Sequence, residues 1–476
     1  MNFANVTDWK IPEGSVHRVT DSLGRVIWEK RPLTPDELKN LADTYDYSYP
    51  AGSKSVKIKN ISGEPIIVTL TSRATTKFNQ DPTYTYGLTY YDNSNTAHQL
   101  TFSINNLSYD IPVGVDEVIS ANFVDAMLSN NDLLGFTQPT ILSSTGYIAL
   151  IGGELDTVNK RMPFRFDNSS KLVDASKFYW RINNTIAMSD EFTQGSFMEL
   201  FSGSSHLVYP AILDWTDSTN NYKHLYHRTY YNCTNLRRVS TIRVPSHIIT
   251  FRMCYQTYSN CIRLTNVDNA LVFQAAVSNG TAYTNNYATR DCAYGAHVSD
   301  SGGVLTQILD RTCYETFKGC TAITSAKFSL PWAMCYKTPS DGYTQAAYYG
   351  MFDGCTSLVE PPKLERYYCA QGGDGRFSYY RGYSTHAYHR IFRNCTSLNK
   401  LILATSDTTR WNCPDYEYKY QGGGWVASQT KSNLTEWMNP AQSGTIYWSG
   451  PYQPQSIGTP SDGYLPNWTF STNDWF

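Results

Sequence analysis

The chain has 476 residues, of which 41% are hydrophobic and only 17% are charged, and its formal net charge is -2. This length predicts more than one domain with a real core, and the lack of a basic tract argues against nucleic acid as a partner. No run of about 18 apolar residues is present, so the sequence predicts no membrane span.

The N-terminal residues 1–49 are predicted to form a hairpin followed by a helix. The hairpin spans 15–30 around the turn "DSLG", and its apolar residues are Val16, Val19, Leu23, Val26 and Trp28. In the helix, Thr34 is placed to cap the first turn, and Glu37 completes a capping box. An isolated hairpin is marginal in water, so this segment is expected to dock onto something. The start, "MNFANVTDWKIPEGSV", lacks the pattern of a secretory signal.

Residues 50–195 are predicted to form a β-sandwich-like domain. Strand-like stretches flank short turns, as in "SVKIKNI" and "IIVTLTS" around "SGEP", and "TYTYGLTYY" and "HQLTFSI" around "DNSN". "GYIALIG" and "KFYWRIN" follow later in the chain. One helix is predicted over 115–128, because Ile119, Phe123 and Met127 are spaced to share one face.

A short motif recurs in the second half of the chain. Six copies share one pattern: an aromatic residue, any residue, Gly or Asn, Cys or Ser, two variable residues, and then Leu or Ile. Their central positions are Ser204, Cys233, Cys261, Cys320, Cys355 and Cys395. The long gap between Cys261 and Cys320 predicts a further, degenerate copy around Cys292.

Each column of the motif has a structural interpretation. Upstream apolar spacing predicts a short helical turn, and the Gly or Asn predicts a left-handed cap, since these residues tolerate positive φ best. A short strand follows, as in "LNKLIL". The predicted repeat-core residues are Phe201, Tyr230, Cys233, Tyr258, Cys261, Phe317, Cys320, Phe352, Cys355, Phe392 and Cys395. The predicted left-handed caps are Gly203, Asn232, Asn260, Gly319, Gly354 and Asn394.

Units this small bury their apolar faces only by stacking, which predicts a solenoid. The cysteines then align in an internal column, where a thiol acts as small, dense core filling. A disulfide or a metal site is the alternative. The odd number of cysteines, 11, and the absence of a C-x-x-C pair favour free, buried thiols.

The units resemble leucine-rich repeats of the BspA-like type found in gut Bacteroidales and their phages. The segments that carry the resemblance are "CYETFKGCTAITSAKFSLP" from Cys313 and "YYGMFDGCTSLVEPPKL" from Tyr348. "LTEWMNPAQSGTIYWSG" and "GYLPNWTFST" resemble the closing segment of such arrays. The resemblance implies a leucine-rich-repeat solenoid over 196–405, with insertions, and a C-terminal capping segment over 406–476. The fold class is thus multidomain and mainly β.

Three insertions rich in Tyr and Gly interrupt the repeats, at 265–311, 365–387 and 406–430. They are interpreted either as loops that cover the edges of the solenoid or as a contact surface, since Tyr gives large contact area at low entropy cost. The candidate contact residues are Tyr379, Tyr380, Tyr383, Tyr416, Tyr418 and Trp425.

No catalytic motif is found, and neither a cofactor nor a metal is predicted.

The start of the chain is similar to the "V-x-x-I-T-D-S-x-G-R-V-L-W-E" starts of structural proteins of Bacteroidales phages. The resemblance therefore implies a non-enzymatic phage virion protein, located in the virion, such as a fibre, appendage or decoration protein. Its expected partners are other virion proteins and a host-surface glycan or protein, and a homo-oligomer is left open.

Two alternatives remain from other classes. A bacterial cell-surface adhesin with the same repeats would need an export signal, which the sequence is expected to lack. A carbohydrate-active enzyme would need paired carboxylates, which pair in space rather than in sequence.

Overall fold

The computed structural model of the protein describes twenty-three stretches of the chain. They are 18–20, 26–29, 34–44, 55–122, 140–152, 154–158, 164–169, 171–183, 197–215, 224–244, 252–273, 277–278, 281–282, 296–298, 304–306, 311–330, 348–366, 390–405, 416–421, 424–429, 438, 442–449 and 467–471. Within these residues the protein is mainly β, with several sheets and few helices. No helix among them is both long and apolar enough to cross a membrane.

The N-terminal segment forms a hairpin and a capped helix. Strands β1 (Arg18–Thr20) and β2 (Val26–Glu29) pair antiparallel, and helix α1 spans Pro35–Thr44. The Thr34 amide donates to Glu37 Oε2 at 2.7 Å, and the Glu37 amide donates to Thr34 Oγ1 at 3.3 Å. These reciprocal bonds confirm the capping box.

Helix α1 packs where the front sheets meet the repeats. Leu38 is buried in a small cluster that draws residues from both parts of the chain: Ile61, Ala149, Ile151, Val173, Val208 and Tyr209. An ion pair joins the helix to the repeats, since Arg237 Nη2 lies 2.8 Å from Asp36 Oδ1. The helix is therefore held by burial and by charge.

Among its described residues, the front region holds ten strands and a short helix. They are β3 (Ser55–Asn60), β4 (Ile66–Ser72), α2 (Thr75–Gln80), β5 (Tyr86–Tyr91), β6 (Ala97–Phe102), β7 (Ser108–Val113), β8 (Val118–Asn122), β9 (Thr140–Ser144), β10 (Ile148–Gly152), β12 (Phe164–Arg165) and β13 (Leu172–Asp174), with β11 (Glu154–Val158) described below. One sheet has the order β13-β10-β3-β8-β5-β6 and another has the order β12-β9-β4-β7. Alternation along β4, with Ile66, Val68 and Leu70 buried, sends one face into a core shared by both sheets.

The helix predicted over 115–128 is wrong in its first part. Residues 118–122 form β8, which pairs antiparallel with β3 on one side and β5 on the other. Ile119 is buried, as the helix also required. Spacing of four residues places side chains on one face in both a helix and a strand, and pairing in the middle of a sheet selects the strand. Phe123 and Met127 lie outside the described residues.

The second part of the chain consists of coils that stack in parallel. The strands of the stack begin with β11 and continue with β14 (Tyr179–Asn183), β15 (Ile212–Trp215), β16 (Ile242–Val244), β17 (Leu271–Phe273), β22 (Ser329–Leu330), β23 (Lys363–Arg366), β24 (Lys400–Thr405), β27 (Gly444–Ser449) and β28 (Trp468–Ser471). Parallel pairs join β11-β14-β15, β16-β17 and β22-β23-β24-β27-β28.

Three antiparallel hairpins stand outside the stack among the described residues: β18–β19 (Val277–Ser278, Thr281–Ala282), β20–β21 (Ala296–Val298, Val304–Thr306) and β25–β26 (Tyr416–Gln421, Gly424–Gln429).

The stack does not start at residue 196. Strand β14, within "KFYWRIN", pairs in parallel with β15 in the first recognised repeat. The turn around Phe166 lies beneath that repeat, because the Phe166 amide donates to the Leu200 carbonyl at 2.8 Å. One continuous apolar cluster runs from Val56 through the stack to Trp468. The front sheets and the coils thus share a core across the predicted boundary at 195.

The degenerate copy predicted around Cys292 is not a member of the stack. The coil at 252–273 contacts the coil at 311–330 directly, since the Tyr258 amide donates to the Thr316 carbonyl at 2.9 Å and Asn266 bridges Ser325. Residues 274–310 are therefore inserted between two neighbouring coils. Cys292 itself lies outside the described residues.

The segments upstream of the caps are chains of turns, so the short helices predicted there are wrong. In residues 224–233, amides alternate between two kinds of acceptor. The Tyr231 amide donates to the Arg228 carbonyl three residues back, whereas the Tyr230 amide donates to Thr257 in the next coil. In an α-helix, each of these amides would instead donate to the carbonyl four residues back. We call these segments the turn segments: 197–203, 224–232, 252–260, 311–319, 348–354 and 390–394.

Candidate functional surface of the stacked coils

The six predicted cap positions all have positive φ. The values are +73° at Gly203, +59° at Asn232, +62° at Asn260, +73° at Gly319, +81° at Gly354 and +63° at Asn394. Positive φ also occurs four residues upstream in each turn segment, where the residues are Glu199, Arg228, Gln256, Glu315, Gly350 and Arg390. Of these six residues only Gly350 is of a type that favours a left-handed conformation, so the sequence did not reveal this second column.

At two of the caps, Gly203 and Gly319, a glycine follows an asparagine of the preceding coil for a steric reason. A Cβ on Gly203 would lie 2.3 Å from Asn168 Oδ1, and one on Gly319 would lie 2.4 Å from Asn260 Oδ1. The asparagine of one coil therefore occupies the space that a side chain of the next would need. Where two asparagines follow each other, Asn260 Nδ2 donates to Asn232 Oδ1 at 2.9 Å.

The aromatic residues of the motif form one buried column through the stack. Neighbouring rings lie nearly parallel, with centroids 5.3–5.8 Å apart, and the column is Phe166, Phe201, Tyr230, Tyr258, Phe317, Phe352 and Phe392. The two buried phenols are satisfied by backbone, since Tyr230 donates to the Ala211 carbonyl at 3.0 Å and Tyr258 to the Ser240 carbonyl at 2.7 Å. Such pairs are worth about 0.5–1.5 kcal/mol each beyond their burial.

The thiols form a second buried column with a hydrogen-bonding role. Each one donates to the carbonyl of the aromatic residue in the preceding coil, at 3.0–3.1 Å; the donors are Cys233, Cys261, Cys320, Cys355 and Cys395. Ser204 does the same to the Phe166 carbonyl at 2.5 Å. The column therefore selects a small donor, which explains why Ser and Cys both occur in it.

These sulfur atoms are free and buried, and burial disfavours the thiolate at four of them. Seven buried, unbridged cysteines are described: Cys233, Cys254, Cys261, Cys313, Cys320, Cys355 and Cys395. Burial raises the pKa of Cys233, Cys261, Cys355 and Cys395 well above the ordinary value of 9.0. A thiol reacts as its thiolate, so burial lowers the reactivity of these four thiols.

We expect the buried thiols to resist modification in the folded protein. With a chromogenic aromatic disulfide reagent at pH 8, seven of the 11 cysteines should stay unreacted, and all 11 should react in guanidinium. Replacing the four others by Ser gives a control variant that keeps only the seven buried cysteines. The replaced residues are Cys292, Cys335, Cys369 and Cys413. Rapid native reaction of Cys355 in that four-Ser variant would contradict the buried column.

A second ladder of rings follows the outer side of the turn segments. It comprises His227, Tyr255, Tyr314 and Tyr349, with successive centroids 4.8, 4.9 and 4.8 Å apart and planes within 5° of parallel. Unlike the buried column, its three tyrosines are partly exposed. Sequence reasoning missed this ladder, although each member stands three residues before a member of the buried column.

Arginine side chains lie beside the outer ladder. The guanidinium of Arg228 lies 5.9 Å and that of Arg252 5.8 Å from the centroid of Tyr255. At the far end, Arg390 lies 5.8 Å from the Tyr349 centroid, and its Nη1 donates to the Tyr349 hydroxyl at 3.0 Å. Cations over aromatic faces are mutually stabilising, so the ladder and its arginines form one continuous surface.

The turn segments carry more positive than negative charge. They contain six Lys or Arg side chains against three carboxylates, an excess of three in a chain whose net charge is -2. Each carboxylate already has an ion-pair partner: Glu199 with Arg165, Glu315 with Lys318, and Asp353 with Arg393. The other cationic side chains of the turn segments are Arg228, Arg252, Arg311 and Arg390.

The longer insertions leave the stack at one edge. Strands β22, β23 and β24 are parallel neighbours, so their carboxyl ends, at Leu330, Arg366 and Thr405, lie along the same edge. The residues that follow these strands are 331–347, 367–389 and 406–443, and 274–310 follows β17 in the same way. The insertion predicted from residue 265 begins later, because 265–273 belong to a coil.

The predicted contact and docking residues are only partly described. Tyr416 and Tyr418 lie on β25 and Trp425 on β26, where Tyr418 is opposite Ala427 and Trp425 is opposite Tyr420. Tyr379, Tyr380 and Tyr383 lie outside the described residues. In the hairpin, Val19 is opposite Trp28 and Val26 is opposite Thr20; Val16 and Leu23 lie outside the described residues.

No group of three His, Cys, Asp or Glu side chains is placed to hold a metal in the part of the chain that the structure describes. Searches against protein-family models, curated proteins and solved structures found no match.

Proposed function

We propose that this chain is a non-enzymatic structural protein of a phage virion that presents a surface for binding a protein or a host-surface molecule. In this proposal the stacked coils are a BspA-like leucine-rich-repeat solenoid, the front sheets are a sandwich beneath it, and β27 and β28 close the array. The repeat motifs and the docking-like start of the chain support the assignment to a virion.

The observation that carries the proposal is the single edge from which the insertions leave the stack. The parallel strands β22, β23 and β24 end along one edge, so the chain leaves the stack there at residues 331, 367 and 406. Loops gathered on a rigid scaffold are a common arrangement for binding. The interior favours the same role, because its thiols are buried, hydrogen-bonded and held as neutral thiols.

The N-terminal hairpin is the proposed attachment to the particle. Helix α1 is fixed to the core by Leu38 and to the repeats by Asp36. The hairpin β1–β2 precedes this helix in the chain. Attachment through this short segment would leave the insertion edge available to a second partner.

Mass spectrometry of purified virions tests the location. Peptides from this chain should be recovered in stoichiometric amounts, and their absence from intact particles would end the virion assignment.

Two variants separate attachment from binding. Deleting residues 1–33 leaves Thr34 and the capped helix in place and should abolish incorporation into particles. Replacing Tyr379, Tyr380 and Tyr383 by Ser should leave incorporation intact and lower adsorption to host cells about tenfold or more, because aromatic anchors dominate binding energy. Unchanged thermal midpoints serve as the control for folding. Normal adsorption by the triple variant would remove these tyrosines from the binding surface.

A further inference from the structure

We infer that the hydroxyl of Tyr109 blocks the open edge of strand β6 against pairing with a second copy of this chain. Among the described residues, β6 is the last strand of the six-stranded front sheet and β7 is the last strand of the four-stranded one. The opposite ends of the two sheets adjoin the coils, where Asp174 bridges Tyr209 and the Phe166 amide bonds Leu200. The edges at β6 and β7 therefore lie on the far side of these sheets from the stack.

The backbone of Thr101 on β6 points out of the sheet edge and is bonded by Tyr109. The Tyr109 hydroxyl donates to the Thr101 carbonyl at 2.6 Å and accepts from the Thr101 amide at 3.1 Å. It also accepts from Asn106 Nδ2 at 2.5 Å, which uses the full bonding capacity of a phenol oxygen. The ring is held against Phe102, with centroids 5.0 Å apart and planes at 88°. The hydroxyl is thus fixed where the backbone of an added strand would lie.

This hydroxyl replaces the partner that a continued hairpin would have supplied. Ser103 and Asn106 exchange both backbone bonds, at 3.2 and 3.1 Å, which begins a hairpin between β6 and β7. The next pair of such a hairpin would be Thr101 with Ser108. Ser108 instead pairs with β4, in the other sheet. The phenol therefore satisfies the backbone groups that β7 leaves behind when the chain changes sheets.

The rest of the β6 edge lacks the usual protection against pairing. Alternate residues of an edge strand direct their amide and carbonyl groups outward, so Ala97 and Gln99 share the orientation of Thr101. All three residues are exposed, and β6 contains no Lys, Arg, Asp or Glu. Charged side chains and proline are the common means of protecting an edge. Strand β7 has both, at Asp110 and Pro112, whereas β6 depends on the phenol.

A second copy of β6 is the partner that fits this edge. A twofold antiparallel contact centred on Gln99 places Ala97 of each copy opposite Thr101 of the other. Thr101 therefore takes part in both outer pairs of the contact, and Gln99 forms the central pair. While Tyr109 bonds Thr101, only the central pair can form, and a single pair of residues is far smaller than a stable interface.

Replacing Tyr109 by Phe in the full chain tests the inference. Y109F keeps the ring against Phe102 and removes only the hydroxyl, so it frees the backbone of Thr101. Sedimentation velocity over a range of protein concentrations should show an association constant about tenfold higher or more than that of wild type, because the freed amide and carbonyl add hydrogen bonds across the contact. Equal self-association of the two proteins would overturn the inference.

Hydrogen exchange at the Thr101 amide locates the contact. In wild type the exchange should be slow at every protein concentration, because the Tyr109 oxygen accepts this proton. In Y109F it should be fast in dilute solution and slow in concentrated solution, where a second strand covers the edge. Fast exchange at all concentrations in a self-associating Y109F would place the contact elsewhere and contradict pairing through β6.

Two further variants are the matched controls. Y109F/Q99P removes the central donor of the edge and should return self-association to the wild-type level. The Gln99 amide points away from β5, so this proline removes no hydrogen bond of the native sheet. Y91F removes a phenol hydroxyl opposite Ala97 on β5 and should leave association unchanged. Association of Y109F/Q99P as strong as that of Y109F would contradict the proposed edge contact. These results are independent of the virion assignment, because they concern the isolated chain.

Discussion

Replacing Gly319 by Ala should lower the free energy of unfolding by about 3 kcal/mol, whereas the same change at Gly354 should cost about 1 kcal/mol. Both glycines have positive φ, so both variants force an alanine into the left-handed backbone conformation, which is unfavourable. The difference lies in the space around them. A Cβ at 319 would meet Asn260 Oδ1 at 2.4 Å, whereas a Cβ at 354 would meet only the backbone of Gly319 at an ordinary 3.7 Å.

A double variant identifies the clash as the cause. N260G removes the obstructing amide and keeps a residue that accepts positive φ. Its own cost is the hydrogen bond to Asn232. N260G/G319A should therefore be more stable than the sum of the two single changes predicts, by about 1 kcal/mol or more. Urea denaturation of the four variants provides the measurement. Equal losses in G319A and G354A would show that backbone strain alone accounts for the glycines.

The buried columns could be predicted from the sequence because each column imposes one environment on every coil. Residues such as Phe317 and Cys320 recur in register with Phe352 and Cys355, and stacking of equivalent positions follows from that repetition. The outer ladder obeys the same rule. Tyr314 precedes Phe317 by the same three residues that separate Tyr349 from Phe352, so a full alignment of the repeats contained the signal.

The conformation of the turn segments could not be predicted in this way. Apolar spacing of three and four residues is shared by a helix and by this chain of turns, and the deciding factor is where the amides donate. The Thr257 carbonyl accepts from the Tyr230 amide of the preceding coil. This bond joins backbone atoms only, so it places no requirement on the type of either side chain. Arg228 and Glu315 adopt positive φ because the stack imposes it, although neither residue type favours it.

Strand β8 illustrates the same limit in the front sheets. Ile119 is buried in the strand, as the predicted helix also required. The choice between strand and helix depends on β3 and β5, which pair with β8 from both sides and are distant in the chain. Tertiary pairing overrides a local pattern that fits both structures.

The imidazole of His227 should make the protein sensitive to acid. It is buried against His224, stacks on Tyr255 and lies near Arg228 and Arg252. Burial and these positive neighbours lower the pKa of His227 to about 3, below its ordinary value of 6.5. Between pH 6.5 and about 3, His227 therefore stays neutral in the folded protein but is protonated in the unfolded chain. Stability from this group is fully present above pH 6.5 and is lost as the pH falls from 6.5 toward 3.

Replacing His227 by Tyr should remove this part of the pH dependence, since tyrosine occupies the equivalent ladder positions in the next coils. Relative to wild type, H227Y should gain stability progressively below pH 6.5, by an amount on the order of 4 kcal/mol near pH 3. Carboxylates that titrate in the same range affect both proteins alike and cancel in the difference. Y255F, which alters the neighbouring ring without adding a group that titrates in acid, should show a constant difference from wild type. Urea unfolding at several pH values between 3 and 8 measures both, and a difference for H227Y that is independent of pH would rule out the buried neutral imidazole as the cause.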